Sequence, residues 1–236
     1  MIHALLLTAA GSSVRMGGTK KEYLTVRQES TGTVSVLSSS LYAFLATGLF
    51  SRILITVPKN GETEARKILA ADGRLDTLSR AHNINLLFAE GGSSRQESVR
   101  IGLERLALDS ERLNMQPDTV LIHDAARPWV SDRLIREVLE TTLLRGAAVP
   151  GVSPVDTEKE IDRSGKIIRH LERSRIVCVQ TPQGFRFSGL LSAHRMAATD
   201  GKTYTDDAEI WGCYAGDVYT IDGDRENKKI TYPGDV

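Results

Sequence analysis

Cysteine is scarce. The chain of 236 residues holds only Cys178 and Cys213, and two widely spaced thiols make neither a disulfide framework nor a thiolate metal cluster. The histidines (His3, His82, His123, His170 and His194) show no metal-ligand spacing either. An excess of charge of one sign is also missing. Lys and Arg number 30 and Asp and Glu number 30, for a formal net charge of zero. Bulk attraction to nucleic acid is therefore excluded, and any anion site must be local. No stretch approaches the ~20 apolar residues of a membrane-spanning helix, and there is no internal repeat, low-complexity tract or linker. The apolar run at 2–10 lacks a basic leader and is short for a secretory signal. It reads as a buried first strand, and a cytoplasmic location is expected.

What is present suits a large α/β domain. A chain of this length that is 41% hydrophobic can bury a sizeable core. Strands alternate with helices, which predicts a doubly wound, largely parallel open sheet. The most informative stretch is 4–24. A short apolar run, of the kind that forms a strand buried on both faces, leads into Ala9, Ala10, Gly11, Ser12 and Ser13. Small side chains there let backbone lie close to a ligand. The cations Arg15, Lys20 and Lys21 follow, so the stretch reads as a phosphate cradle. It matches neither the P-loop nor the dinucleotide fingerprint, because Met16 and Gly17 interrupt the first and the second needs another glycine frame.

Along the chain, residues 26–33 are polar and read as an exposed loop. Helices are expected at 36–46 and 62–71, with strands at 52–57 and 85–89. Ser94 and Glu97 have capping-box spacing, and Val99, Leu103, Leu106 and Ala107 then share one helical face. The preceding Gly91-Gly92 turn serves either that capped helix alone or a base or ribose whose ring its backbone can approach. A buried strand at 119–122 delivers His123-Asp124-Ala125-Ala126-Arg127-Pro128 to the carboxyl edge, where ligands sit in open parallel sheets. Asp124 is the candidate for magnesium or a sugar hydroxyl, and His123 reads as a core residue. A helix capped by Ser131 is expected at 131–144 and a strand at 147–149. The polar hairpin at 158–161 and 166–171 turns at Asp162-Arg163-Ser164-Gly165. It has little apolar surface of its own, so it is either a surface flap or an arm on a second subunit. The chain is expected to return to the core at 177–180. A helix at 188–198, another capped by Thr205 or Asp206, and a strand at 218–221 complete the reading.

Taken in order, these motifs are specific. The chain resembles the 2-C-methyl-D-erythritol 4-phosphate cytidylyltransferases over nearly its whole length. The resemblance rests on Ala9-Ala10-Gly11 with Arg15-Met16, Lys21-Glu22-Tyr23-Leu24, Gly91-Gly92 with Arg95 and Ser98, and 123–128. It continues through Asp156-Thr157, Gln180-Thr181-Pro182-Gln183, Thr205-Asp206-Asp207-Ala208 and Lys229-Ile230-Thr231. It implies one nucleotidylyltransferase domain over 1–236, of Rossmann-like fold, with a protruding β-hairpin arm at about 152–177. It implies transfer of cytidylyl from CTP to the polyol phosphate, with pyrophosphate as the leaving group and magnesium on the triphosphate. Arg15, Lys21 and Lys229 match the family's catalytic cations. Ala9, Ala10, Gly11, Gly92, Ser98, Asp124 and Ala125 match its CTP-binding positions. Thr157, Arg173 and Thr203, with Asp124, match positions that hold methylerythritol phosphate. The arm implies a homodimer in which Thr157 and Arg173 serve the neighbouring site. Glu22 stands where the family commonly has Gln, and Ser93 where it often has an acid. The 26–33 segment is longer than usual, and the chain ends at Val236 where the family continues into a further helix. Two alternatives accompany this reading: a cytidylyltransferase for another polyol phosphate such as ribitol 5-phosphate, and a catalytically inactive nucleotide-binding regulator.

Overall fold

The first strand, β1 (His3–Thr8), is apolar on both sides because both sides are covered. Leu5 and Leu7 face one core, with Leu37, Leu41 and Phe44 among its members. Ala4 and Leu6 face a second core with Val99, Leu103 and Leu190. Alternate side chains of a strand point to opposite faces, so a continuous apolar run is what a two-sided sheet requires. The computed structural model describes residues 1–11, 13 and 16–235.

The helices divide between the two faces. α1 (Val36–Thr47), α2 (Glu62–Ala70), α3 (Gly73–Ala81) and α5 (Asp132–Arg145) supply the first core. α4 (Arg95–Leu113), α6 (Phe187–Ala197) and α7 (Asp207–Tyr214) are associated with the second. Gly102 lets α4 sit low on the sheet, since a Cβ there would lie 2.5 Å from Leu6 Cδ1. The main sheet contains β4 (Arg52–Val57), β5 (Leu86–Glu90), β6 (Thr119–Asp124), β7 (Ala147–Val152), β10 (Cys178–Val179), β11 (Gln183–Arg186) and β12 (Tyr219–Asp222) besides β1. Its order is β10-β7-β11-β6-β1-β4-β5, with β12 also pairing β7. β1 is parallel to both β4 and β6. The chain therefore leaves β1 in one direction and returns on its other side, making a crevice beyond the carboxyl ends of β1 and β6.

Several expectations are corrected. Residues 26–33 are not a loop but most of a hairpin, β2 (Thr25–Glu29) and β3 (Gly32–Ser35). Val34 is its one fully buried apolar side chain, and backbone groups tie it down: Thr33 N donates to Ala71 O at 2.9 Å, and Gly73 N to Thr31 O at 3.0 Å. α3 was missed because Leu75 is its one buried side chain, too little for a periodic signal. β11 carries little strand signal of its own, because Pro182 and Gly184 interrupt the pattern. It runs antiparallel between β6 and β7. The expected core return at 177–180 is an exposed edge strand, with only Gln180 buried. The second hairpin, β8 (Lys159–Ile161) and β9 (Ile167–His170), forms its own two-stranded sheet and exposes Ile161, Ile167 and Ile168. Among the described residues no helix is long and apolar enough to cross a membrane.

Candidate active site

The crevice beyond β1 and β6 has a volume of about 390 Å³. The β1 side contributes Thr8, Ala10, Gly11 and Lys21; the turn after β5 contributes Gly92 to Ser94. Asp124 and Ala126 come from the end of β6, and Lys229 and Thr231 from the C-terminal segment.

The loop after β1 is held by its own cation. Lys20 Nζ donates to Ala9 O at 2.6 Å and to Gly11 O at 2.7 Å, and pairs with Glu22 at 3.2 Å. Burial pushes the Lys20 pKa down, against the pull of Glu22. Lys20 is thus committed to the loop, and Lys21 reaches across the crevice to donate to Ile230 O at 3.0 Å. Two adjacent lysines that look equivalent in sequence take different directions.

The turn after β5 is equally specific. Gly92 N donates to Ser98 Oγ at 3.1 Å, and Ser98 Oγ donates to Ser94 O at 2.8 Å. Ser94 caps α4 by accepting from Glu97 N. The Glu97 carboxylate reaches back one residue further than a capping box requires, taking bonds from Ser93 N and Ser93 Oγ. A Cβ on Gly91 would lie 2.3 Å from Ala10 Cβ and 2.7 Å from Ser98 Oγ. Its missing side chain lets the two loops touch each other, and Gly92 is left to line the crevice.

Asp124 is the electrostatic centre. It is 7% exposed; Lys229 Nζ donates to its Oδ2 at 2.6 Å, and Arg95 Nε faces its Oδ1 at 3.4 Å. Burial opposes ionisation, but Arg95 and Lys229 outweigh it and hold the carboxyl well below the usual range. His123 behind it is fully buried between Thr181 and the Arg127 carbonyl, and burial pushes its pKa down to about 3. It is a neutral core residue, as expected. Arg127 in turn donates to Asn227 O at 2.7 Å, fixing the segment that carries Lys229.

A family model for 2-C-methyl-D-erythritol 4-phosphate cytidylyltransferase matches residues 2–236. The chain belongs to this cytidylyltransferase family. A bifunctional enzyme IspD/IspF of Nitrobacter hamburgensis is 47% identical over 148 residues, covering 62% of this chain and 35% of the relative. Its counterpart in Nitrobacter winogradskyi is 36% identical over 98% of this chain and 53% of its own length. The chain thus spans about half, or less, of the curated relatives it matches. Among solved structures, the 2-C-methyl-D-erythritol 4-phosphate cytidylyltransferase of Thermus thermophilus is 29% identical with a TM-score of 0.71, covering all of this chain and 95% of that one. A 4-diphosphocytidyl-2C-methyl-D-erythritol synthase from Anaerococcus prevotii has a TM-score of 0.77 over 99% of this chain and 92% of its own, at 21% identity, and supports the fold alone.

Of the positions carried over from this cytidylyltransferase family, Ala10, Gly11, Lys21, Gly92, Ser98, Asp124 and Lys229 line one crevice. Ala9 and Ala125 are fully buried just behind it. Arg15 lies outside the described residues. Thr157, Arg173 and Thr203 are exposed and do not line the crevice. Arg173 lies in a separate hollow at the base of the arm with Ser153, Val155 and Arg225. Sequence reasoning did not single out Thr8, Ser94, Arg95 or Ala126 as site residues, though all four line the crevice. Two of them had a signal: Arg95 as part of the Gly91-Gly92 motif, and Ala126 as part of the 123–128 motif.

Proposed function

We propose that this chain catalyses cytidylyl transfer from CTP to 2-C-methyl-D-erythritol 4-phosphate, as one nucleotidylyltransferase domain spanning 1–236. The observation that carries the reading is the meeting of Lys21 and Lys229, from the two ends of the chain, over the small-residue loop after β1. A phosphate oxygen of the polyol phosphate attacks the α-phosphorus of CTP, the bond to the β-phosphate oxygen breaks, and pyrophosphate leaves with that electron pair. The nucleophile is already an anion, so no general base is required. The barrier is repulsion between two anions and growth of charge around phosphorus, which positioning and cations lower. Lys21 and Lys229 are assigned to the triphosphate, with Arg15. Gly11, Gly92 and Ser98 are assigned to the cytidine, with the backbone at Ala9 and Ala10, and Asp124 and Ala125 to the ribose side.

Magnesium fits as a companion of the triphosphate rather than as the occupant of a protein cage. The crevice carboxylates are Glu22 and Asp124, and each is already paired with a cation. Among the described residues no cluster of three or more His, Cys, Asp or Glu could hold a metal. When bound to the phosphates, magnesium draws charge from the oxygens around phosphorus and from the leaving pyrophosphate.

Thr157, Arg173 and Thr203 are assigned to methylerythritol phosphate, with Thr157 and Arg173 reaching the crevice of a second copy. The apolar exposed side of the arm supports a homodimer, since a two-stranded ribbon is marginal without a partner. Pyrophosphate release from CTP and magnesium, with methylerythritol phosphate and ribitol 5-phosphate compared, tests the reading. Turnover with the first polyol phosphate and little with the second is expected. No release with either would overturn it, and a preference for ribitol 5-phosphate would reassign the substrate.

A further inference from the structure

A line of charged groups leads from the crevice into the protein, and the reaction as described does not use its far end. Asp124 Oδ2 holds Lys229 at 2.6 Å, and Asp124 Oδ1 faces Arg95 Nε at 3.4 Å. The other end of the Arg95 guanidinium pairs with Asp207 Oδ2 at 2.8 Å. Asp207 Oδ1 accepts from His194 Nε2 at 3.1 Å, and both of these side chains are fully inaccessible. Neither lines the crevice.

The asymmetry of the line is informative. Asp124 has two oxygens and each meets a different cation: Oδ2 takes Lys229, and Oδ1 takes Arg95 together with the Thr8 hydroxyl, which donates to it at 3.3 Å, so Arg95 is the charged group that holds the second oxygen. Arg95 is the first residue of α4, next to the Ser94 cap, and Asp207 is the first residue of α7. A guanidinium can span two carboxylates as a rigid fork, which an ammonium cannot. The Asp207 carboxylate is held by the positive end of its own helix, by His194 and by Arg95. Buried pairs of this kind add little net stability but impose geometry. A tie serving only to fasten α7 would not need to end on the carboxylate that holds Lys229.

We propose that Arg95 is a positioning residue for the transfer: anchored on the buried Asp207–His194 pair, it turns Asp124 so that its Oδ2 presents the Lys229 ammonium to the crevice. The proposal rests on the cytidylyltransferase reading, and its test separates the two.

Steady-state pyrophosphate release by the full chain, with CTP, magnesium and methylerythritol phosphate, is the first measurement. Asp207→Asn removes the anchor without touching the crevice lining. It is expected to lower kcat about tenfold while KM for CTP stays within about twofold. Arg95→Met should lose at least as much, Arg95→Lys should not rescue it, and the Arg95→Met, Asp207→Asn double variant should be no slower than Arg95→Met alone. Wild-type kcat in Asp207→Asn, full rescue by lysine, or multiplied losses in the double variant would overturn the proposal. The second measurement needs neither activity nor a variant that folds. In nitrogen-15 spectra of the wild-type chain the two Arg95 Nη groups should give separate signals, because Asp207 stops rotation of the guanidinium. A single averaged signal would overturn the proposal. A wild-type chain that releases no pyrophosphate but keeps the separate signals would refute the function and leave the positioning geometry standing.

Discussion

The crevice and the arm handle charge in opposite ways. In and behind the crevice, Asp124, Glu22 and Asp207 are buried, and each is matched to a cation. In the arm, Arg169 pairs with Glu160 across β8 and β9 with both side chains well exposed, an arrangement worth ~0–1 kcal/mol. The crevice therefore carries its own geometry, whereas the charges of the arm impose little. Among the described residues, those assigned to CTP line the first region or lie just behind it, and Thr157 and Arg173, assigned to the polyol phosphate, belong to the second.

The largest expected effect lies in the crevice. Lys21→Ala should cost roughly 3–4 kcal/mol of transition-state stabilisation, by analogy with removal of one electrostatic donor, measured as kcat/KM for CTP. Unchanged turnover would remove the crevice from the chemistry. Acid should act on the same region through stability. The pKa of His123 is depressed to about 3 in the folded chain, against ~6.5 when unfolded. Between those values the unfolded chain binds the extra proton, so stability present above pH ~6.5 is lost as pH falls toward 3. Asp207 and Asp124, whose pKa values are depressed as well, add their own loss below pH ~4. Urea unfolding at pH 6.5 and at pH 5 should differ by about 1.6 kcal/mol from His123 alone, and an absence of pH dependence in this range would contradict its burial as a neutral ring.

The arm should behave differently. Arg173→Ala is expected to raise KM for the polyol phosphate about tenfold with little change in KM for CTP, as loss of a phosphate contact would. If the arm serves the neighbouring site, mixing Lys21→Ala and Arg173→Ala subunits at polyol phosphate well below its KM should restore about a quarter of wild-type activity, because half of the dimers are mixed and each has one intact site. No recovery on mixing would place Arg173 in its own subunit's site. The smallest effect marks the boundary of the crevice. Lys228 is largely exposed beside Glu226 at 3.7 Å, and Lys228→Ala should leave kcat within about twofold, unlike the same change at Lys229.

How much of this is legible in sequence follows the same division. Elements with strong apolar signals, such as β4 at Arg52–Val57 and α5 behind its Ser131 cap, appear where pattern and capping put them. Elements held by backbone bonds to distant segments do not. The β2–β3 hairpin depends on the 71–73 turn, and β11 on a slot between β6 and β7. In the crevice, small residues and cations are visible as types, but not their direction. Nothing local separates Lys20, which is spent on two carbonyls, from Lys21. The role of Arg95 depends on Asp207, which only the fold brings within 2.8 Å.

The central claim is that Lys21 and Lys229 converge on one polyanion. A crystal structure of the chain with CTP and magnesium tests it most directly. The account predicts the triphosphate over the loop after β1, with both ammonium groups within hydrogen-bonding distance of its oxygens. A triphosphate bound elsewhere, or one lysine pointing away from it, would contradict the account.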